Sequence, residues 1–268
     1  MRPRERWFVI MIRAWLELPP IGIFLTLAAL YFGLVLVLRI LLFCPPFGRY
    51  MQSLTGIVAP FFNASAILFA LLAGFLANDI ADRSRQAYRA VQTEAGELRN
   101  VYTLSIAALA DMAAIRETLK TYAESITTDE WPAMEEGYGS SRTSAAYDEL
   151  LRRISDPSIA KSSGNAVHAA LLNAAVHAGN ARTERLAIAS DHTNDLKWLV
   201  VIVLGLITQI SIALVHLERP RAMTTALLVF ASAAVITLSL VAFQEYPFYG
   251  AFHLSPAPIV ETIRLLGG

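Results

Sequence analysis

The side chains that could carry out chemistry are few and widely spaced. His168 and His177 lie nine residues apart, a spacing that does not place two imidazoles on one helical face as paired metal ligands. An acidic run consists of Asp129, Glu130, Glu135 and Glu136. It lacks the alternating oxygen ligands of a calcium loop, so we interpret it as a solvated helix end.

Motifs of known enzyme classes do not occur in this sequence. It contains no phosphate-binding loop, no nucleophile elbow, no His-Glu-x-x-His and no dinucleotide fingerprint. We therefore predict no catalytic residue, no bound metal and no cofactor, and we do not expect an enzyme.

A more informative pattern lies in residues 60–79. Small side chains recur every four residues at Ala66, Ala70 and Gly74, with Asn63 and Asn78 at the two ends. Small residues at this spacing allow helices to pack closely, and the same face would also suit the wall of a narrow, mostly apolar pore. The pore interpretation assigns as lining residues Phe62, Asn63, Ala66, Ile67, Phe69, Ala70, Gly74, Asn78 and Asp79.

Polar residues at membrane depth also occur near the C-terminus. Thr208, Gln209 and Ser211 interrupt an apolar segment and are candidates either for function or for hydrogen bonding between helices. None of the apolar segments carries a carboxylate, lysine or histidine near its middle. This favours a passive pathway over a proton-coupled transporter.

Composition places the chain among membrane proteins. Of its 268 residues, 55% are hydrophobic and 16% are charged, and the mean hydropathy is +0.48. The 22 basic and 22 acidic residues cancel, so no nucleic-acid partner is expected. The single cysteine, Cys44, excludes an intrachain disulfide.

Four apolar segments are long enough to cross a bilayer, which takes about 20 helical residues. They are Ile21 to Phe43, about Thr55 to Ala77, Leu199 to Leu217 and Met223 to Phe243. Before them, Trp7 to Leu18 reads as an amphipathic helix lying at the membrane interface. We predict an all-α membrane protein with four transmembrane helices.

Four spans put both termini and residues 79–196 on the same side of the membrane. That side holds most of the arginines near the span ends, including Arg2, Arg4, Arg6, Arg83 and Arg85. The excess of positive charge favours the cytoplasm for this side. The predicted domains are residues 1–78 with the interfacial helix and two spans, a helical domain 79–196 inserted as a stalk, and residues 197–268 with two spans and a tail.

The inserted domain reads as helical throughout. Hydrophobic residues recur every seven positions, as in a coiled-coil seam. They are Val91, Leu98, Met112, Leu119 and Ile126, followed three residues on by Val101, Ala108, Ile115 and Tyr122. A break near Asp111 is predicted, and Pro132 is predicted to end the helix that follows it. A helix from Asn165 is predicted to run through Asp195 straight into the third span.

Four local motifs resemble one known family. They are LFALLAGFLANDI leading into Arg85–Ala95, the sequence Asp129-Glu130-Trp131-Pro132, Arg182-x-x-Arg185-Leu186, and the tail YPFYGAFHLSPAP. Together with four spans, they make the chain similar to the bacterial bestrophin-like membrane proteins. The resemblance covers nearly all of the chain from residue 55 onward.

The resemblance implies kinship with bestrophins, which are pentameric anion channels whose second helix lines the pore. By that analogy residues 60–79 surround a fivefold axis in a bacterial inner membrane, and the partners are the lipid bilayer, copies of the same chain and a permeant ion. The sequence lacks the Arg-Phe-Pro motif of bestrophins and their dense acidic cluster after the last span. The resemblance therefore does not extend to calcium gating.

Glu94 falls on the hydrophobic seam, where a carboxylate requires a partner. Arg182 or Arg185 on the returning helix would supply one, and we interpret the set as a structural ion pair. The leading hypothesis for function is an oligomeric ion channel. The alternative is a non-conducting scaffold or sensor whose inserted domain binds a partner through a surface within residues 111–160.

Overall fold

The computed structural model describes residues 11–43, 60–108, 110–191, 195–250 and 252–267. In these ranges the chain is all-helical, without a β-strand. It divides into two compact units, one drawn from Met1–Ala81 and Thr193–Glu245 and the other from Asp82–His192 and Tyr246–Gly268. We call the first the apolar unit and the second the polar unit.

Helical residues 11–16 precede a series of regular helices. In chain order these are α1 (Pro20–Phe43), α2 (Pro60–Ala107), α3 (Ala113–Ser125), α4 (Trp131–Ala133), α5 (Ser141–Ile154), α6 (Pro157–Ser163), α7 (Asn165–Ser190), α8 (Asp195–Val215), α9 (Pro220–Ala242) and α10 (Ala257–Gly267). A π-helical turn, Ile126–Glu130, joins α3 to α4, and a 3-10 turn, Met134–Glu136, follows α4.

Among the described residues, α1, α2, α8 and α9 are long and apolar enough to cross a membrane. The start of α1, α2 and α9 is a proline in each case. Proline suits the first turn of a helix because its φ is fixed near the helical value and its missing N–H would have no intrahelical partner there. Parts of two predicted segments lie outside the described residues. They are residues 7–10 of the interfacial helix and residues 55–59 of the second span, and the arginines at positions 2, 4 and 6 also lie outside.

The apolar unit is built on α1, which packs against α9 and α8. Tyr31 on α1 is fully buried, and its hydroxyl donates to the carbonyl of Ile202 at 3.3 Å. The side-chain amide of Gln209 donates to the carbonyl of Tyr31 at 3.2 Å. Hydrogen bonding between helices is thus the role that the structure gives Gln209, whereas Thr208 and Ser211 donate to carbonyls of their own helix.

The polar unit has a continuous hydrophobic core to which α2, α3, α5, α7 and α10 contribute. The predicted seam faces this core, and every seam residue is buried except Ala108, which is half-buried. The predicted break near Asp111 is confirmed, since the backbone N–H of Ala113 donates to Asp111 Oδ1 at 2.9 Å as α3 begins. Local amphipathicity therefore identified the core positions correctly.

The prediction that Pro132 ends a helix is wrong. The chain stays helical from Ala113 to Glu136 and ends in the left-handed conformation at Gly137, where φ is 77°. In the π-turn the N–H of Trp131 reaches back five residues to the carbonyl of Ile126. The wider turn enters α4 with Pro132 in its first turn, where a proline is tolerated.

The predicted continuity between α7 and the third span is also wrong. Helix α7 ends at Ser190, and Asp191 has extended dihedral angles (φ −90°, ψ 144°) before α8 begins at Asp195. Aspartate favours such helix ends because its side chain competes for local backbone hydrogen bonds.

The C-terminal tail belongs to the polar unit, where Phe248 and Ile259 are buried in the core.

Candidate functional site

The apolar part of α2 is the least covered of the four candidate spans. In its most apolar stretch 17% of the residues are buried, compared with 50% in α8 and 44% in α9. Ala73, Leu76 and Ile80 form its buried side. A helix of this length that buries so little in its own chain needs lipid or other chains around it.

The exposed side of α2 carries the predicted small-residue pattern. We call Asn63, Ile67, Ala70, Gly74 and Asn78 the small-residue face, and all five are exposed. Asn63 and Asn78 are 15 residues apart, which corresponds to about 22 Å along a helix. The face therefore has one amide near each end and no large polar group between them.

The structure separates three predicted lining residues from this face. The Phe69 ring packs on Phe230 of α9, with centroids 5.5 Å apart, and Asp79 forms an ion pair with Lys197 of α8. Each lies five residues from Gly74, about 140° around the helix. Phe62, twelve residues from Gly74, is half-buried and about 120° away. Phe69 therefore packs within its own chain, and Ala66, at the margin of the face, is half-buried.

A polar boundary lies where α8 begins. Arg13 Nε is 3.0 Å from Asp195 Oδ2, and the indole of Trp198 donates to Glu245 Oε2 at 3.0 Å. Trp15 packs edge-on against Trp198. Tryptophans and paired charges are typical of the level at which a membrane protein leaves the hydrocarbon.

Four charged side chains meet inside the polar unit. We call Glu94, Glu130, Arg182 and Arg185 the charge cluster. Arg185 Nε is 2.7 Å from Glu94 Oε2, and its Nη2 is 2.8 Å from Glu130 Oε2. Arg182 Nη2 is 2.6 Å from Glu130 Oε1. Glu94, Glu130 and Arg185 have no exposed surface.

Neighbouring groups complete the hydrogen bonding of the charge cluster. The Tyr122 hydroxyl donates to Glu94 Oε1 at 3.1 Å, and Arg182 donates to Ser144 Oγ at 2.9 Å. The guanidinium carbon of Arg185 lies 5.5 Å from the Trp131 ring centroid, a cation–π contact. The backbone N–H of Ser140 donates to Glu130 Oε1 at 3.3 Å. The two carboxylates thus receive donors from arginine, tyrosine and backbone, as burial of a charge requires.

These contacts shift the pKa values of Glu130, Arg185 and Tyr122. Burial alone would raise the pKa of Glu130, but hydrogen bonds and positive charge from Arg182 and Arg185 bring it below its ordinary value. Burial would lower the pKa of Arg185, but Glu94 and Glu130 raise it above its ordinary value. Burial, followed by the negative charge of Glu94, raises the pKa of Tyr122. With these directions Glu130 stays ionised and Tyr122 stays neutral near pH 7, so the cluster suits ion pairing better than proton transfer.

The sequence predicts Arg182 or Arg185 as the partner of Glu94. The structure pairs Arg185 with Glu94 and Arg182 with Glu130. The interpretation of Glu130 as part of a solvated helix end is wrong. The seven-residue seam through Ile115 and Tyr122 extrapolates to Asp129, and the π-turn moves the buried position on by one residue to Glu130. No group of three or more His, Cys, Asp or Glu residues that would suit a metal ion occurs in the described ranges.

Comparison with known proteins agrees with this architecture. The sequence model of the Bestrophin-like domain matches residues 21–259. The chain belongs to the bestrophin-like family. No curated protein sequence matches it.

Solved structures of bestrophin homologues share the fold of this bestrophin-like chain. A single-residue variant of a bacterial bestrophin homologue from Klebsiella pneumoniae superposes with a TM-score of 0.72 at 15% identity, covering 92% of this chain and 96% of that one. A second variant of that homologue gives 0.71 at 13% identity, covering 90% and 97%. A crystal structure described only as a membrane protein gives 0.69 at 13% identity, covering 91% and 97%.

Proposed function

We propose that this chain is the subunit of an oligomeric ion channel in which the small-residue face of α2 lines the pathway. The exposure of this face in the single chain is the observation that supports the proposal. Small side chains leave room for an ion path between helices, and Asn63 and Asn78 would line its two mouths. An amide facing water in a pore avoids the cost of about 2–7 kcal/mol of placing it unpaired in hydrocarbon.

A single chain does not enclose this path, so the channel requires several copies around an axis. Kinship with bestrophins favours five copies and an anion as the permeant ion. In this arrangement α1, α2, α8 and α9 span a bacterial inner membrane and the polar unit is in the cytoplasm. The arginine bias of the sequence supports that orientation.

The scaffold hypothesis predicts a different membrane part. A non-conducting anchor needs only a bundle that is closed within each chain, with its small residues packed against neighbouring helices. The exposure of Ala70 and Gly74 in the single chain favours the channel over that bundle. In the competing outcome of the functional test, copies of the chain pack tightly on this face and leave no water-filled path between them.

The test is ion flux through the purified protein. The full chain is reconstituted into liposomes, and chloride, potassium and sodium fluxes are measured over a range of voltages. The proposal predicts flux above that of empty liposomes, together with an oligomer larger than a dimer in detergent. Absence of flux for every ion, from a correctly assembled oligomer, would contradict the channel and support the scaffold.

A further inference from the structure

A groove lies between α2 and α8 within the apolar unit. Leu76 of α2 and Val201 of α8 form its floor, and both are buried. Its rim carries the exposed side chains of Phe75, Leu196 and Val200. The groove has a volume of about 520 Å³, which falls in the usual range of small-molecule sites, about 300–1,000 Å³. A concave, mostly apolar surface of this size suits a ligand with a large apolar part.

The polar end of the groove carries two opposite charges. Asp79 of α2 forms an ion pair there with Lys197 of α8. Both side chains keep surface outside the pair, since 43% of Asp79 and 54% of Lys197 is exposed. A carboxylate accepts several hydrogen bonds and an ammonium group donates three. Each charge can therefore contact a ligand without leaving its partner.

The charged end lies at the polar boundary of the apolar unit. Lys197 stands between Asp195, which pairs with Arg13, and Trp198, whose indole donates to Glu245. From there the groove runs along the apolar parts of α2 and α8, both of which are long and apolar enough to cross a membrane. A ligand in the groove would thus have its polar end at the headgroup level and its apolar part in the hydrocarbon.

The groove is distinct from the small-residue face of α2. At 100° per residue, Phe75, Asp79 and Leu72 point between about 100° and 160° away from the direction of Gly74 around the helix. Asn78, about 40° from Gly74, lies at the margin that the groove and the face share. The two features therefore occupy different sides of one helix and can be tested separately.

We propose that this groove binds a phospholipid whose headgroup carries both an ammonium and a phosphate. The ammonium donates to Asp79, the phosphate accepts from Lys197, and an acyl chain covers Leu76 and Val201. The charges of Asp79 and Lys197 cancel, so a purely anionic headgroup would meet a repelling carboxylate beside the attracting ammonium. A headgroup with both signs complements both side chains. The site does not depend on ion conduction.

Native mass spectrometry of the full-length protein measures this binding. Protein freed of lipid in detergent is titrated with phosphatidylethanolamine or with phosphatidylglycerol that has the same acyl chains. The Kd for phosphatidylethanolamine should be about threefold lower, a difference typical of contacts between partly exposed charges. Asp79→Asn should reverse this preference, because Lys197 then gives the site a net positive charge.

A second variant tests the apolar part of the groove. Val200→Trp places a large ring on the rim and should weaken the binding of both lipids by at least about tenfold, because the ring occupies the space of the acyl chain. Val229→Trp is the matched control, since Val229 is an exposed valine on α9 outside the groove. It should leave both Kd values unchanged.

Two results would overturn the lipid site. The first is equal affinity of the unmodified protein for the two lipids, which would indicate an unselective lipid coat. The second is equal lipid binding by Val200→Trp and Val229→Trp. If Val200→Trp also lowered the oligomer mass in that case, a second copy of the chain would be the occupant of the groove. A protein that binds phosphatidylethanolamine as described and conducts no ion would keep the lipid site and overturn only the proposed function.

Discussion

Arg185 Nε lies 2.7 Å from Glu94 Oε2, although the two residues are 91 positions apart in the sequence. Neither side chain is exposed. The pair joins α7 to α2 within the polar unit. Glu130 accepts from the same guanidinium at 2.8 Å and brings the π-turn into the contact. One arginine thus holds three separate segments of the chain together.

Removing one partner of this pair should destabilise the polar unit strongly. Arg185→Met leaves two buried carboxylates short of a donor, and breaking such a pair costs about 3–5 kcal/mol. The matched control is Arg142→Met, since Arg142 is an 80% exposed partner of Asp129. An exposed pair of that kind contributes about 0–1 kcal/mol. Thermal unfolding of the purified protein measures both, and equal effects would contradict the structural role of the cluster.

Stability should depend on pH through Glu130. Because Arg182 and Arg185 lower the pKa of its folded form, the unfolded chain binds the proton more readily as pH falls. The contribution of ionised Glu130 to the free energy of unfolding is fully present above the ordinary glutamate pKa of about 4.3. It is lost as the pH falls through the lower pKa of the folded form.

Thermal unfolding between pH 7 and pH 3 checks this dependence. The loss of stability on acidification should be smaller in Glu130→Gln, which is less stable than the wild type at pH 7 but has no carboxyl to protonate there. Asp156→Asn is not a suitable control, since its pKa is also lowered, by the backbone N–H of Ser158. Glu135→Gln, on an exposed residue, should keep the wild-type profile.

Phe248 should anchor the C-terminal tail. Its side chain is 2% exposed, and its ring packs edge-on against Trp131 with centroids 5.7 Å apart. Phe248→Ala is expected to destabilise the polar unit by about 3–5 kcal/mol, the usual cost of deleting a buried phenyl ring. Phe252→Ala, four residues on and 61% exposed, should change stability by less than about 1 kcal/mol. Similar losses for the two variants would show that the tail does not pack as described.

Gly74 offers a test of the pathway that leaves the subunit intact. A Cβ added there meets no atom within 4 Å, and the same holds for Gly33 on α1. Gly74→Leu should therefore fold, and if the small-residue face lines the path it should reduce flux by at least about tenfold, because constrictions of apolar side chains close pores by dewetting. Gly33→Leu is the matched control and should conduct normally. Equal flux through the two variants would place the path elsewhere.

Much of the fold followed from local patterns. The first, third and fourth apolar segments predicted their helices to within a few residues. The described part of the second lies within α2, which continues 30 residues past Ala77 to Ala107. Seam residues such as Leu98 and Leu119 are fully buried as predicted. Both results follow from helical geometry, since a repeat of apolar residues at helical spacing puts them on one side.

Other features depended on how segments meet. The π-turn inserts one residue into the helical register, so Glu130 is buried where the seam predicted Asp129. Phe69 and Gly74 both belong to the pattern of α2, yet only Gly74 is exposed because α9 brings Phe230 against the other side. Neither outcome is encoded in spacing along one helix.

The sequence by itself determined which segments are apolar helices, which hydrophobic seam residues form the core of the polar unit, and which side of α2 has small side chains. Each of these depends on residues within a few helical turns. Only the tertiary structure decided that Arg182 pairs with Glu130, that Arg185 bridges both glutamates and that Phe248 packs on Trp131. The arginine contacts join residues that are at least 52 positions apart in the sequence. The distances in all these contacts are set by the packing of whole helices.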